Sequence, residues 1–233
     1  MSFQRYESRN KAGVRTAKFV LKMDPPLGSY INASNSFCFA IPNGGVPVAE
    51  GFCSHLDIKY DILIVRKVKI PYNPEAGFGS VTTDGTVLLN KPLLSQLNLT
   101  EDQIQKSIAT TKQEIQERLA FYHKKTFLGE RYKELIEDKH IFMVDDGLAS
   151  GFTMLAAIQM IKKYFPKDIF IAVPTAPQRT VEKLESEVKD IFCPNVKRVA
   201  WFAVANAYKH WYDVPESEVQ EILNHSNFYV DSA

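Results

Sequence analysis

Between Ile141 and Met154 the chain reads Ile-Phe-Met-Val-Asp-Asp-Gly-Leu-Ala-Ser-Gly-Phe-Thr-Met. A short apolar run of this kind, bounded by turn residues, is the pattern of a strand buried on both faces, and such strands belong to parallel sheets covered by helices. The run ends in two adjacent carboxylates, Asp145 and Asp146; a loop of small residues follows, and a helix is expected from about Thr153 or Met154 to Tyr164. That loop offers backbone N–H groups at the positive end of a helix, a ready site for a phosphate monoester. Gly151 permits close approach of the backbone, and Ser150 and Thr153 add hydroxyl groups. The two carboxylates stand at the carboxyl end of a parallel strand, where α/β proteins place ligands. They repel phosphate but suit ribose hydroxyls, directly or through Mg²⁺. An isolated Asp-Asp-Gly is ordinarily a turn, and a lone Ser or Thr a helix cap; the complete order of parts is what favours a site. No Lys follows the glycines, so this is not a Walker loop.

The rest of the chain agrees with a parallel α/β fold. Tyr6 to Lys22 has helical spacing, with Ala12, Val14, Ala17, Phe19, Val20 and Leu21 available for burial, and Asp24-Pro25-Pro26 ends that helix. Ser36 to Ile41 reads as a buried strand, Pro42 to Gly45 as a turn, Val46 to His55 as a helix and Ile62 to Val65 as a second strand, which together make a βαβ unit. Ile70 to Asn90, rich in Pro and Gly, reads as a loop leading to a short hairpin that turns near Thr83-Asp84-Gly85. Thr100 to Lys125 reads as a long helix opened by the capping box Thr100–Gln103, with a narrow stripe of Ile104, Ile108, Ile115, Leu119 and Tyr122. Ile169 to Val173 and Val199 to Val204 read as further strands, Gln178 to Val188 and Pro215 to His225 as helices. One domain over residues 1–233 is expected, with an insertion at about 82–137 and a C-terminal hood or tail at about 200–233.

Composition removes several classes of function. Apolar residues are 45% of the 233, enough for a sizeable core, and the formal net charge of +1 gives no basic excess for nucleic acid. Cys38, Cys53 and Cys193 lack metal spacing and read as reduced core thiols. The five histidines, His55, His123, His140, His210 and His225, show no ligand spacing either. The polar N-terminus and the shortness of the apolar runs lead to the expectation of a cytoplasmic chain with no membrane partner.

The Ile141–Met154 segment resembles the phosphoribosyl-pyrophosphate signature of type I phosphoribosyltransferases. Ile41-Pro-Asn-Gly-Gly-Val-Pro47 is similar to the pyrophosphate loop of that family. Val65-Arg-Lys-Val68, Pro71 to Gly79, Phe202 to Tyr208 and Asp213 to Val219 resemble a subgroup of predicted phosphoribosyltransferases. The resemblance implies a parallel sheet with helices on both faces, a small hood, a homodimer, Mg²⁺, and transfer of 5-phosphoribosyl to a nucleobase or related heterocycle. It implies that Asp145 and Asp146 hold the ribose, alone or with Mg²⁺, and that Ala149, Ser150, Gly151, Phe152 and Thr153 hold the 5-phosphate. Asn43, Gly44 and Gly45 would hold the pyrophosphate. The residues themselves add Arg66 and Lys67, two adjacent cations at a strand end that suit a pyrophosphate leaving group.

Two positions depart from the family pattern. Asn43 stands where the subgroup has Arg, and Ala149 stands where purine enzymes carry an acidic residue. Weaker candidates are Glu75 as an orienting carboxylate, Arg118 and Tyr122 four apart on the long helix, and a ring from Trp201, Phe202, Tyr208, Trp211 or Tyr212 to stack on the acceptor, of which Phe202 and Tyr208 come first. The alternative to a transferase is a non-catalytic regulator that senses phosphoribosyl pyrophosphate on the same fold; a phosphate-ester hydrolase is a weaker third.

Overall fold

The computed structural model describes residues 4–122 and 129–230. The chain begins with α1 (Arg9–Met23) and α2 (Pro25–Tyr30), then β1 (Ser36–Ala40), α3 (Gly45–Leu56) and β2 (Lys59–Ile62). An antiparallel excursion follows: β3 (Val65–Ile70), β4 (Asn73–Thr82) and β5 (Val87–Leu89), then α4 (Lys91–Leu94), α5 (Glu101–Phe121) and α6 (Gly129–Ile136). The parallel path resumes with β6 (His140–Val144), α7 (Phe152–Lys162), β7 (Asp168–Ala172), β8 (Thr175–Pro177), α8 (Gln178–Leu184), β9 (Asp190–Phe192), β10 (Asn195–Lys197) and α9 (Glu216–His225).

The main sheet has five parallel strands in the order β2-β1-β6-β7-β9. Every residue of β1 and β6 is buried, which is why both read as unbroken apolar runs. Alternation along each strand divides the core. Cys38, Ala40, Phe142, Val144 and Phe170 pack on the face covered by α3, while Phe37, Phe39, Ile141, Met143 and Ile171 pack on the face that holds Met154, Ile158 and Ile161 of α7. The three cysteines are buried and unpaired. Among the described residues no helix is long and apolar enough to cross a membrane.

Helices α1 and α3 cross closely because each presents a glycine to the other's backbone. A Cβ on Gly13 would sit 2.0 Å from the Val48 carbonyl oxygen, and one on Gly51 2.1 Å from that of Asn10. Helix propensity alone favours Gly13→Ala by about 1 kcal/mol. The backbone clash outweighs it, because overpacking costs about 1–3 kcal/mol and here the obstacle is main chain rather than a movable side chain. Gly13→Ala is therefore expected to lower the urea midpoint; an unchanged or higher midpoint would show that the helices separate freely.

The structure corrects four sequence expectations. The run Ile62–Val65 is not a strand but the exit of β2 and the first residue of β3; Leu63 and Ile64 are buried between them, with the Thr83 hydroxyl bonding both the N–H and the carbonyl of Ile64. Apolar continuity there reports burial and not strand limits. Residues 73–82 form a ten-residue strand rather than a loop, since its glycines sit under the Lys67 and Leu89 side chains and its pairing to β3 absorbs two register shifts. Val199–Val204 is no strand: Val199 and Trp201 are exposed, and the sheet edge belongs to the short β9. The helix expected at Gln178–Val188 ends at Leu184 and continues as one 3-10 turn, Glu185–Glu187. The capping box of α5 and its buried stripe are as expected, while His123 and the expected helix end near Lys125 lie outside the described residues.

Candidate functional site

Register brings the site together. Ala40 of β1 lies opposite Val144 of β6, which lies opposite Ala172 of β7, so all three strands end on one line. The Ile41 N–H continues the ladder to the Val144 carbonyl at 2.9 Å. Asn43-Gly44-Gly45 therefore runs directly alongside Asp145-Asp146. Gly44 touches the acidic pair: a Cβ there would lie 2.0 Å from Asp146 Oδ2.

The two carboxylates differ in their surroundings. Asp145 Oδ1 accepts the Asp146 N–H at 2.8 Å. Burial, and then the neighbouring Asp146 charge, hold the Asp145 carboxyl well above the usual carboxylate range. Asp146 Oδ2 accepts Arg9 Nε at 2.8 Å, and the Tyr208 hydroxyl donates to the Asp146 carbonyl at 2.7 Å. Burial raises Asp146 as well, against the opposing pull of Arg9.

Arg9 was not singled out in the sequence. It opens α1, is buried, and donates a second bond to the Tyr212 carbonyl at 2.9 Å. Its guanidinium lies 4.3 Å from the Trp211 ring centre, 5.2 Å from Tyr212 and 5.4 Å from Tyr208. Three of the aromatics considered as stacking platforms thus surround a cation. Phe202 is half-buried in the segment before the 3-10 turn Val204–Ala207, and Trp201 is exposed. The signal that could have found Arg9 is faint: one arginine on the apolar side of a helix whose other basic residues face solvent.

The loop after the acidic pair is fixed from below. Leu148 N–H donates to the Thr175 carbonyl at 3.0 Å, and the Thr180 hydroxyl donates to the Ala149 carbonyl at 2.6 Å. Gly151 caps α7 with φ +76°, a conformation that side-chain residues rarely adopt. Ala149, Ser150 and Thr153 are exposed on this rim, and the Phe152 N–H points toward Ser150 Oγ at 3.4 Å.

Asn43 donates from Nδ2 to the Val214 carbonyl at 2.7 Å and accepts from Arg118 through Oδ1. Arg118, from α5, also pairs with Glu216 of α9 at 3.1 Å. Arg66 is half-buried on β3; burial and then the nearby Arg118 charge lower its pKa. Lys67 faces away from burial and donates to the Glu75 carbonyl. Tyr122 is buried with its ring 5.9 Å from the Arg118 guanidinium carbon. His140 opens β6, as expected, beside Asp168 at 3.0 Å.

Asp145 and Asp146 are two adjacent carboxylates, the oxygen donors that Mg²⁺ takes when substrate or water completes its shell; among the described residues no group of three or more His, Cys, Asp or Glu is placed to hold a metal ion.

A model of the phosphoribosyl transferase domain matches residues 27–211, a span that includes both loops, Arg66 and Arg118 but neither Arg9 nor Glu216. Two Mycobacterium tuberculosis proteins, "Putative phosphoribosyl transferase Rv0571c" of strain H37Rv and "Putative phosphoribosyl transferase MT0597" of strain CDC 1551, are each 29% identical over 189 residues. That region is 80% of this chain and 41% of theirs, so the chain spans about two fifths of the curated relatives it matches. The crystal structure of TT1426 from Thermus thermophilus superposes with a TM-score of 0.69 at 25% identity, over 94% of this chain and 97% of that one.

Proposed function

The chain belongs to the phosphoribosyl transferase domain family, and on that premise we propose that it transfers a 5-phosphoribosyl group from 5-phosphoribosyl-1-pyrophosphate to a nitrogen acceptor, a nucleobase or related heterocycle. The observation that carries this reading is the shared edge: acidic pair, phosphate loop and Gly-rich loop end adjacent strands in register. Asp145 and Asp146 hold the ribose hydroxyls. Ala149 to Thr153 hold the 5-phosphate through main-chain N–H groups and the Ser150 and Thr153 hydroxyls. Asn43, Gly44, Gly45 and Arg66 face the pyrophosphate, while Lys67 lies on the other side of β3, exposed and bonded to the Glu75 carbonyl. Asp145 and Asp146 would hold Mg²⁺, through the ribose or water, and the ion would supply charge neutralisation for the leaving pyrophosphate. A bond forms from the acceptor nitrogen to ribose C1, the C1–O bond to pyrophosphate breaks, and the nitrogen's proton leaves to solvent or a group outside this set. Positive charge grows at C1 during the exchange, so the side chains act by positioning and by electrostatics.

Ala149 favours a second reading. With a methyl group at that place, the loop brings no carboxylate to the acceptor, which suits a regulator that binds the donor without turning it over.

Calorimetry with phosphoribosyl pyrophosphate and Mg²⁺ tests the donor half of both readings. Saturable binding is expected for the native chain, weakened about 100-fold or more in Asp145→Ala/Asp146→Ala, since each bond to a charged group is worth about 1.5–3 kcal/mol. Absence of binding to the native chain refutes both. Pyrophosphate release across a panel of purines, pyrimidines and smaller heterocycles separates them: release with one acceptor supports transfer, and binding without release supports sensing.

A further inference from the structure

Arg66 and Arg118 come from separate elements, the antiparallel excursion and its long helix; they lie near enough for their charges to repel, and Arg118 reaches the Gly-rich loop. Arg118 reaches 75 residues along the chain to bond Asn43, the residue that precedes the glycines. Its side chain is only 10% exposed. The Nε atoms of Arg66 and of Arg118 are both buried without a hydrogen-bond partner. Two neighbouring guanidiniums with unfilled donors repel each other, and their burial is costly unless negative charge answers them. The Glu216 carboxylate answers Arg118 only in part, from an exposed position on α9. Guanidinium forks match phosphate oxygens in geometry and charge.

We infer that Arg118, held by Asn43 and set beside Arg66, binds the pyrophosphate moiety of the donor, and that Glu216 competes with that anion for Arg118. The inference rests on the donor reading above and adds to it the source of the cation that the loop itself lacks. The long helix α5 thereby becomes part of the site. Its buried stripe of Ile104, Ile108, Ile115 and Leu119 seats it on the body, and α5 packs across β3, the strand of Arg66.

The test titrates Mg²⁺-pyrophosphate, ribose 5-phosphate and phosphoribosyl pyrophosphate separately into the native chain, Arg118→Gln and Glu216→Gln. Arg118→Gln is expected to weaken pyrophosphate and phosphoribosyl pyrophosphate by about 10–100-fold, the size of a charge-assisted bond. Ribose 5-phosphate binding stays unchanged and reports an intact fold. Glu216→Gln is expected to tighten pyrophosphate by about 2–5-fold, as release of an exposed ion pair allows. Equal losses for all three ligands in Arg118→Gln, or no loss at all, overturn the inference, as does weaker pyrophosphate binding in Glu216→Gln. A native chain that binds ribose 5-phosphate but not pyrophosphate overturns this inference and spares the donor reading. One that does not bind phosphoribosyl pyrophosphate overturns both.

Discussion

Asp145→Asn is expected to make the protein more stable at pH 8 while weakening donor binding. Asparagine keeps an oxygen that accepts the Asp146 N–H, so the 2.8 Å bond survives the change. What disappears is a charge that burial and Asp146 both oppose. A carboxyl whose folded pKa lies above its unfolded one leaves the unfolded state with fewer protons. Its stability contribution is complete below the unfolded value and is lost as pH rises through the folded value. Asparagine does not titrate, so the variant's advantage should be small in acid, grow toward neutrality and level off above the folded pKa. A gain on the order of 1 kcal/mol is typical when a functional site is relieved of such a conflict. Urea titrations at pH 5 and pH 8 read it directly. A variant less stable than the native chain at pH 8 would mean that the ionised carboxylate supports the fold. Loss of ribose contacts should weaken phosphoribosyl pyrophosphate by about 10–100-fold in the same variant.

Arg9→Met is expected to produce the largest loss of stability. Methionine keeps an unbranched apolar stem about as far as Nε and loses the guanidinium that lies among Tyr208, Trp211 and Tyr212. The charge is removed from a pair in which Arg9 is 5% exposed and Asp146 14%. Removing one partner of a buried pair typically costs about 3–5 kcal/mol, because the other charge stays behind. Without Arg9, Asp146 loses the influence that opposes its upward shift, so the penalty should shrink as pH falls and Asp146 takes up a proton. Arg9→Met/Asp146→Asn should recover most of the loss, since neither charge then remains. A pH-independent cost below about 1 kcal/mol, the range of exposed pairs, would show that solvent screens this contact.

Much of the molecule was legible because burial leaves a mark on sequence. Strands β1, β6 and β7 are apolar almost throughout, and the capping box, the Asp24-Pro-Pro break and the Thr83-Asp84-Gly85 turn have local causes. The failures share one cause. Ile62–Val65 and Val199–Val204 have strand-like composition, but pairing partners and exposure decide whether such a run joins a sheet. Glycines at 77 and 79 resemble loop punctuation until the Lys67 and Leu89 side chains are seen to lie over them.

The candidate site divides in the same way. The segment His140–Met154 is contiguous, so its acidic pair, loop and helix could be read in order, and the sequence alone determined that succession of parts and the parallel sheet beneath it. Only the tertiary structure brought Arg9 from the first helix onto Asp146 and Arg118 from α5 onto Asn43, contacts that span 137 and 75 residues. Lone arginines carry no periodic or motif signal, and their charge becomes informative only where the fold has removed water and set a partner in reach.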